Sequence, residues 1–216
     1  MHKIDNEVTL KTLEKLHQES SSEKLTILKG ALKGVFRKLK PEDMKEAYIS
    51  VSKEQGEYIY NLLINEKAKN IVEFGTSFGI STIYLAAAAK KNNGKVITSE
   101  LLASKCKIAL QNFKDADVNN AIDLRLGDAI KTLKNVPGNI DFLLLDGWND
   151  LYLPLIKMLE PKLSNGAYIY TDNIKFPGSK SFVKYINSHP EKYDTKRLSE
   201  SKGGVELTRF TTAIRN

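Results

Sequence analysis

The sequence is poor in cysteine and contains no long apolar run. The single cysteine, Cys106, excludes an internal disulfide and is typical of a reducing compartment, so we expect a cytoplasmic protein. No apolar run approaches the ~20 residues that a membrane-spanning helix needs. The stretch from Met1 to Ser20 is mixed and charged, which does not resemble a secretory signal. We therefore expect no membrane association.

Arginine is also scarce, contributing only five of the 33 basic residues although the formal net charge is +7. Planar, bidentate contacts to phosphates and bases favour arginine, and the lysines here are scattered along the chain. We therefore expect no nucleic-acid partner. With 216 residues, of which 41% are hydrophobic and 27% charged, the chain suits one domain with a large core.

The first 47 residues are predicted to form a helical appendage, a lid or a dimer contact, on a main domain at residues 48–216. The short cluster Ser20-Ser21-Ser22 separates two amphipathic stretches, and the second places apolar residues at helical spacing among lysines. A basic amphipathic helix suits a membrane or a partner, but packing on the main domain or on a second subunit is the more ordinary role. The apolar stripe leads us to expect a homodimer.

From about residue 70, short apolar runs alternate with stretches of helical pattern. The apolar runs lie at residues 71–74, 96–98, 122–126, 140–145 and 167–170. The helical stretches between them lie at residues 80–90, 103–113, 129–133 and 151–163. This alternation predicts an α/β protein with a parallel sheet covered by helices on both faces.

The end of the chain breaks this alternation. After a helical stretch at 181–187, segments 192–198 and 205–211 flank a turn with two glycines, which is typical of an antiparallel hairpin. The predicted fold is a Rossmann-like, doubly wound sheet of seven strands, mostly parallel with an antiparallel C-terminal hairpin, plus N-terminal helices. It resembles the class I methyltransferases that use S-adenosylmethionine (SAM), a likeness of fold alone.

A glycine turn follows the first predicted strand. Gly75 and Gly79 permit a tight turn and close approach of a ligand to the backbone. The following helix offers its N-terminal amides to an anion such as the methionine carboxylate of SAM, with the Ser81 hydroxyl nearby. A plain strand-to-helix turn has the same pattern. The residues expected to contact the cofactor here are Glu73, Gly75, Thr76, Ser77, Gly79 and Ser81.

Two further strand ends carry candidate cofactor contacts. Glu100 ends the second predicted strand about 20 residues after the glycine turn, a spacing at which an acid binds ribose hydroxyls in nucleoside-binding sheets. A solvated strand-end charge is the alternative. After the third strand, Asp128 and Ala129 are placed near an adenine amino group, and Asp128 is equally suited to cap a helix.

Acidic and amide side chains follow the fourth and fifth predicted strands. Asp146 ends the fourth, and Asp172 with Asn173 ends the fifth. Because the carboxyl ends of neighbouring parallel strands meet at one edge, we expect the three to lie together. Two carboxylates and an amide oxygen suit magnesium, manganese or calcium, and such an ion favours deprotonation of a substrate hydroxyl. Alternatively, Asp146 holds the substrate or the SAM amino group.

With these residues, the sequence from about Tyr48 onwards resembles the cation-dependent O-methyltransferases, a family that includes catechol and caffeoyl-CoA O-methyltransferases and small bacterial relatives. The resemblance implies SAM as cofactor and a divalent cation held by Asp146, Asp172 and Asn173. It also implies a hydroxyl acceptor on a small, aromatic, catechol-like molecule. The segment Ile49-Ser50-Val51-Ser52 resembles the part of the family that closes over the methionine end of SAM, so Val51 is a further expected contact.

Asn149 departs from the family pattern. Members with catechol chemistry carry a lysine three residues after the first metal aspartate, where it acts as general base, and an amide cannot take a proton near pH 7. Asp146 and Asn149 are thus the candidates at the reaction centre, with the base unassigned. Trp148 and Phe176, near the same edge, either face an aromatic acceptor or only pack.

Other functions fit parts of the pattern. Methyltransferases that act on nitrogen in flipped bases usually carry an Asn/Asp-Pro-Pro-Tyr/Phe motif where this chain has Asp146-Gly147-Trp148-Asn149. A nicotinamide dehydrogenase shares the glycine turn, but the roughly 70 residues after Asp146 leave no room for a substrate domain. A metal-independent small-molecule methyltransferase and a non-catalytic SAM-binding module stay open because of Asn149.

Overall fold

The structure, a computed structural model, describes residues 2–31, 51–198 and 203–212. The α-helices are α1 Glu7–Ala31, α2 Lys53–Asn65, α3 Ile80–Lys91, α4 Ala103–Asp115, α5 Ala129–Thr132, α6 Tyr152–Leu159 and α7 Lys180–Asn187. The strands are β1 Asn70–Phe74, β2 Lys95–Glu100, β3 Ile122–Leu126, β4 Ile140–Leu145, β5 Leu163–Thr171, β6 Tyr193–Leu198 and β7 Val205–Phe210. Within the described ranges, no helix combines the length and the apolar character that a membrane span requires.

The seven strands form one sheet in the order β3-β2-β1-β4-β5-β7-β6. Strands β1 to β5 pair in parallel, whereas β7 runs antiparallel to both β5 and β6. Strand order reverses beside β1, where β2 lies on one side and β4 on the other. The predicted doubly wound sheet with a C-terminal hairpin is confirmed, and its switch point lies between β1 and β4.

The centre of the sheet is buried on both faces. On β4, Phe142 and Leu144 pack against the core on the α2 and α3 side, and Leu143 and Leu145 pack on the α6 and α7 side. All four side chains are at most 1% exposed. A strand that is apolar at every position suits this double burial, because helices cover both faces of a parallel sheet. The rigid centre fixes where β4 ends.

Helix α1 is continuous from Glu7 to Ala31, so the serine cluster does not interrupt it. The hydroxyl of Ser21 donates to the carbonyl of His17 one turn earlier, which satisfies it within the helix. Leu13 and Leu16 are 2% exposed and join the core of the main domain. The part of α1 that carries Leu13 and Leu16 therefore packs on the main domain. The predicted boundary at residue 47 and most of the second amphipathic stretch lie outside the described residues.

Helix α6 is shorter than the sequence pattern predicts. It ends at Leu159, a short 3-10 turn covers Glu160–Lys162, and β5 begins at Leu163. Pro161 explains the difference, because it has no N–H to continue the helical hydrogen bonds and its ring collides with the carbonyl four residues earlier.

Candidate functional site

The glycine turn between β1 and α3 needs its glycines for space as well as for conformation. Gly75 and Gly79 have φ angles of 104° and 90°, a region that L-residues with side chains rarely adopt. A Cβ atom on Gly75 would lie 2.5 Å from the carbonyl oxygen of Asp146, and one on Gly79 would lie 2.4 Å from the ring of Phe113. The turn is therefore packed directly against the end of β4.

Glu73, at the end of β1, stabilises this turn through buried hydrogen bonds. Its carboxylate is 0% exposed and accepts hydrogen bonds from the hydroxyls of Ser81 (2.6 Å), Thr82 (2.5 Å) and Thr98 (2.6 Å). Burial raises the pKa of Glu73, while the three hydroxyl bonds act in the opposite direction. The carboxylate thus joins the start of α3 to β2. The expected contacts of Glu73 and Ser81 with a cofactor remain predictions, since both side chains are engaged here with each other.

Glu100 is tied to the same turn from the side of β2. Its Oε2 accepts from the backbone N–H of Ser77 (2.9 Å), and its Oε1 accepts from that of Leu102 (3.0 Å). A carboxylate has about four acceptor positions, so two remain for further donors such as ribose hydroxyls. The half-buried Glu100 is therefore held in one orientation with acceptor capacity left over.

Lys105 is a residue that sequence reasoning missed. It lies in the first turn of α4 and is 5% exposed, with its Nζ 3.3 Å from Ser77 Oγ and 5.1 Å from the centre of the Phe78 ring. Burial lowers its pKa, and the charge of Glu100 raises it. Burial of a lysine is unusual without a polar partner. The sequence does place this lysine in the first turn of the helix that follows Glu100, which is close to the predicted cofactor site.

The loop after β3 lies beside Glu100. The N–H of Gly127 donates to the carbonyl of Glu100 (2.8 Å), and Asp128 Oδ1 accepts from the N–H of Ile130 (2.9 Å) as N-cap of α5. The capping role of Asp128 is thereby observed. A contact of Asp128 and Ala129 with adenine stays a prediction.

Val51 stands at the start of α2 and is 1% exposed in the core. Ser52 caps the helix: its Oγ accepts from the N–H of Gln55, and the Gln55 side chain accepts from the N–H of Ser52. The segment just before Val51 lies outside the described residues, so its expected closure over a cofactor is untested.

Asp146, Asp172 and Asn173 come together at the carboxyl edge of β4 and β5. The two strands pair in parallel, and Asn173 Nδ2 donates to Asp146 Oδ1 (3.3 Å). The backbone N–H of Asn173 also donates to Asp172 Oδ1 (2.6 Å). The sequence-predicted proximity is therefore observed, and we refer to these three residues as the acid–amide triple.

The electrostatics of the triple favour an added positive charge. Removal from water raises the pKa of Asp146 far above its usual range, and the charges of Asp172 and Glu73 raise it further. A buried carboxylate whose pKa is raised beside a second acid is stabilised in its charged form by a cation between the two. Among the described residues, no three His, Cys, Asp or Glu side chains are grouped for a metal, so an ion here would also need the amide of Asn173.

Asn149 serves the loop after β5. Its Nδ2 donates to Ser179 Oγ (3.0 Å) and to the carbonyl of Asn173 (3.4 Å). Ser179, which is 0% exposed, donates to the same carbonyl (2.9 Å). Of the two aromatic candidates, Trp148 packs against the core on the α6 side, whereas Phe176 is 49% exposed. Of these two side chains, Phe176 is therefore the one that offers a largely open aromatic surface near this edge.

Comparisons with known proteins agree on one family. A family model described as O-methyltransferase matches residues 18–200. The catechol O-methyltransferase of Niastella koreensis is 32% identical over 130 residues, which cover 58% of each chain. The caffeoyl-CoA O-methyltransferase of Medicago sativa is 29% identical over 137 residues, covering 61% of this chain and 55% of that protein. Both matches span less than two thirds of the relative's own length.

Solved structures agree on the fold. The O-methyltransferase from Bacillus cereus, in complex with SAH, superposes with a TM-score of 0.74 at 22% identity. The alignment covers 93% of this chain and 91% of that one. At this identity the likeness supports the arrangement of strands and helices alone.

Proposed function

Because the chain belongs to the O-methyltransferase family, we propose that it transfers a methyl group from SAM to a hydroxyl of a small, catechol-like molecule with the help of a divalent cation. The observation that carries the proposal is the contact between the glycine turn and the acid–amide triple. Gly75 lies so close to Asp146 that no Cβ fits between them. A ligand on the turn and a ligand on the triple would therefore be neighbours.

In this proposal the glycine turn and Glu100 hold SAM. Glu100 accepts the ribose hydroxyls through its two remaining acceptor positions, since its other two are used by backbone N–H groups of Ser77 and Leu102. The N terminus of α3 faces the methionine carboxylate with unpaired amides and the positive end of its dipole. Asp128 and Ala129 then border the adenine, because their loop is hydrogen-bonded to Glu100.

The acid–amide triple would hold the cation. When bound, a divalent cation would lower the pKa of the acceptor's hydroxyl and so favour the deprotonated oxygen as nucleophile. Asp146 and Asp172 provide carboxylate oxygens, and Asn173 provides its amide. In the observed conformation the amide nitrogen of Asn173 faces Asp146, so ligation through Oδ1 requires the amide to turn over. Phe176 offers an aromatic face at the same edge.

Methyl transfer leaves the hydroxyl proton to be accepted by something other than Asn149. An amide is no base near pH 7, and this one donates to Ser179 and Asn173. A cytoplasmic location and a homodimer remain expectations from the sequence, as does the absence of a nucleic-acid partner.

The decisive experiment is a SAM titration followed by methyl-transfer assays on a panel of catechols with and without EDTA. We expect SAM to bind, one hydroxyl of a vicinal diol to be methylated, and EDTA to abolish transfer. The Asp146→Asn and Asp172→Asn variants should lose transfer but bind SAM, whereas the exposed Asp123→Asn serves as control. Equal transfer in EDTA would disprove the metal role, and SAM binding without transfer to any acceptor would favour a non-catalytic module.

A further inference from the structure

The acid–amide triple depends on an unusual backbone conformation. Asn173 has a φ angle of 61°, in the left-handed region that asparagine tolerates better than most residues with side chains. This conformation turns its side chain towards Asp146 while its own N–H points at Asp172 Oδ1. Whatever fixes the peptide after Asn173 therefore also fixes the amide of the triple.

Both ends of that peptide are held: the N–H of Ile174 donates to the carbonyl of Gly204 (3.1 Å), and the carbonyl of Asn173 has several donors. It accepts from the hydroxyl of Ser179 (2.9 Å), from the N–H of Phe176 (3.1 Å) and from the side chain of Asn149 (3.4 Å). The hydroxyl of Ser179 accepts in turn from Asn149 Nδ2 (3.0 Å). One buried hydroxyl thus links the loop after β4 to the loop after β5, using both its donor and its acceptor capacity.

The two loops are packed closely enough for this link to be specific. A Cβ on Gly178 would lie 2.8 Å from Asp150 Oδ1 and 3.0 Å from Cβ of Asn149, so the two loops are in close contact there. The adjacent Ser179 is 0% exposed, and water cannot readily replace its hydroxyl. Without the hydroxyl, the carbonyl of Asn173 keeps the N–H of Phe176 and the longer contact with Asn149, while Asn149 Nδ2 loses the shorter of its two hydrogen bonds.

We propose that Ser179 is a positioning residue, which together with Asn149 holds the left-handed peptide at Asn173 and so sets the amide that completes the acid–amide triple. The proposal rests on the proposed function, in which that triple binds a cation and the acceptor hydroxyl. It gives Asn149 a role at the position where related enzymes carry a base. That role is the support of a neighbouring loop, not proton transfer.

The test compares Ser179→Ala with Ser179→Thr, which keeps the hydroxyl, and with Ser164→Ala as matched control. Ser164 lies at the far end of β5, where its hydroxyl donates to Asp141 Oδ1 (3.1 Å). Mn²⁺ binding is followed by electron paramagnetic resonance, SAM binding by calorimetry, and the mobility of residues 173–179 by hydrogen–deuterium exchange.

We expect Ser179→Ala to bind SAM as the wild type does but to lose about 10-fold in Mn²⁺ affinity and in kcat, the low end of the range for groups that orient metal ligands, because Ser179 acts through the backbone of Asn173. Exchange should rise in residues 173–179 alone. Ser179→Thr should recover much of the loss, and Ser164→Ala should match the wild type. Asn149→Ala should shift the same quantities in the same direction, which keeps the test valid if Ser179→Ala does not fold.

Wild-type exchange at 173–179 together with wild-type kcat in Ser179→Ala would overturn the proposal. A wild-type protein that binds SAM but neither binds Mn²⁺ nor responds to EDTA would instead refute the metal part of the proposed function. In that case the exchange measurement still decides whether Ser179 holds the loop. A general loss of SAM affinity in Ser179→Ala would also count against the proposal, because it would indicate global damage.

Discussion

The N–H of Ser77 donates to Glu100 Oε2 across 2.9 Å, so the glycine turn and the end of β2 form one hydrogen-bonded unit. Residue 77 has a φ angle of 50° and therefore needs such external support. The partner carboxylate provides it while a second backbone N–H, from Leu102, fixes its other oxygen.

Replacement of Glu100 by glutamine should weaken SAM binding. The amide group of glutamine has one acceptor oxygen, so a backbone donor of the turn loses its partner and the ribose loses an acceptor. Hydrogen bonds to a charged group contribute about 1.5–3 kcal/mol, which corresponds to a roughly 10- to 100-fold higher Kd. Calorimetry with SAM measures the change, with Asp123→Asn on the neighbouring strand as control. Unchanged affinity would refute the ribose assignment.

Replacement of Lys105 by methionine should weaken SAM binding, because Lys105 contacts the glycine turn. Methionine keeps most of the packing beside Phe78 but cannot donate to Ser77 Oγ. We expect SAM affinity to fall by about fivefold, the equivalent of one hydrogen bond of about 1 kcal/mol. Lys107→Met, at an exposed position of the same helix, should bind SAM normally. Equal behaviour of the two variants would show that Lys105 acts only in packing.

The buried carboxylate of Glu73 should make stability depend on pH. Burial raises its pKa above the ordinary value of 4.5, so the folded state holds the proton more tightly than the unfolded chain does. The free energy of unfolding should therefore fall as the pH rises from about 4.5 through the folded-state pKa. Glu73→Gln should make this decline shallower without removing it, because the pKa of Asp146 is raised in the same direction.

Urea unfolding at a series of pH values between about 5 and 8 measures that slope. The exposed Glu14→Gln is the matched control and should follow the wild type. An identical slope in Glu73→Gln and wild type would mean that the hydroxyls of Ser81, Thr82 and Thr98 offset the cost of burying the charge.

Cys106 should resist thiol reagents in the folded protein. It is 6% exposed, and burial raises its pKa to about 11, so only roughly a thousandth is thiolate at pH 8. Ellman's reagent should react slowly with native protein and rapidly, with one equivalent, in concentrated guanidinium chloride. Fast reaction of the native protein would place Cys106 in a more open position than α4 gives it.

The sheet could be predicted because each strand is indicated by a pattern of consecutive residues. Each strand from β1 to β5 contains one of the short apolar or alternating runs, and the position of Asp146 and Asp172 at strand ends follows directly from their places after those runs. Parallel pairing then brings the two acids together, as the register of β4 with β5 shows. The early end of α6 was missed, although Pro161 is a local signal for it.

The supporting contacts were not predictable in this way. Ser179 and Asn149 are 30 positions apart, and nothing in either segment indicates that one hydroxyl joins them. Lys105 likewise meets Ser77 only because α4 packs beside the glycine turn. The sequence also suggested a break at the serine cluster, because serine favours caps and turns on average. In the structure the hydroxyl of Ser21 donates to a carbonyl of the same helix, and α1 continues through the cluster.

The close approach of Gly75 to Asp146 has a consequence for the geometry of the proposed reaction. An alanine at position 75 would have to push the end of β4 away, since its methyl carbon would lie 2.5 Å from the carbonyl oxygen of Asp146. Donor and acceptor would then move apart while each kept its own contacts. In the proposed reaction, the absence of a side chain at residue 75 would therefore keep the glycine turn and the end of β4 at the spacing that the methyl donor and the acceptor oxygen need, and in-line attack tolerates little change in that spacing.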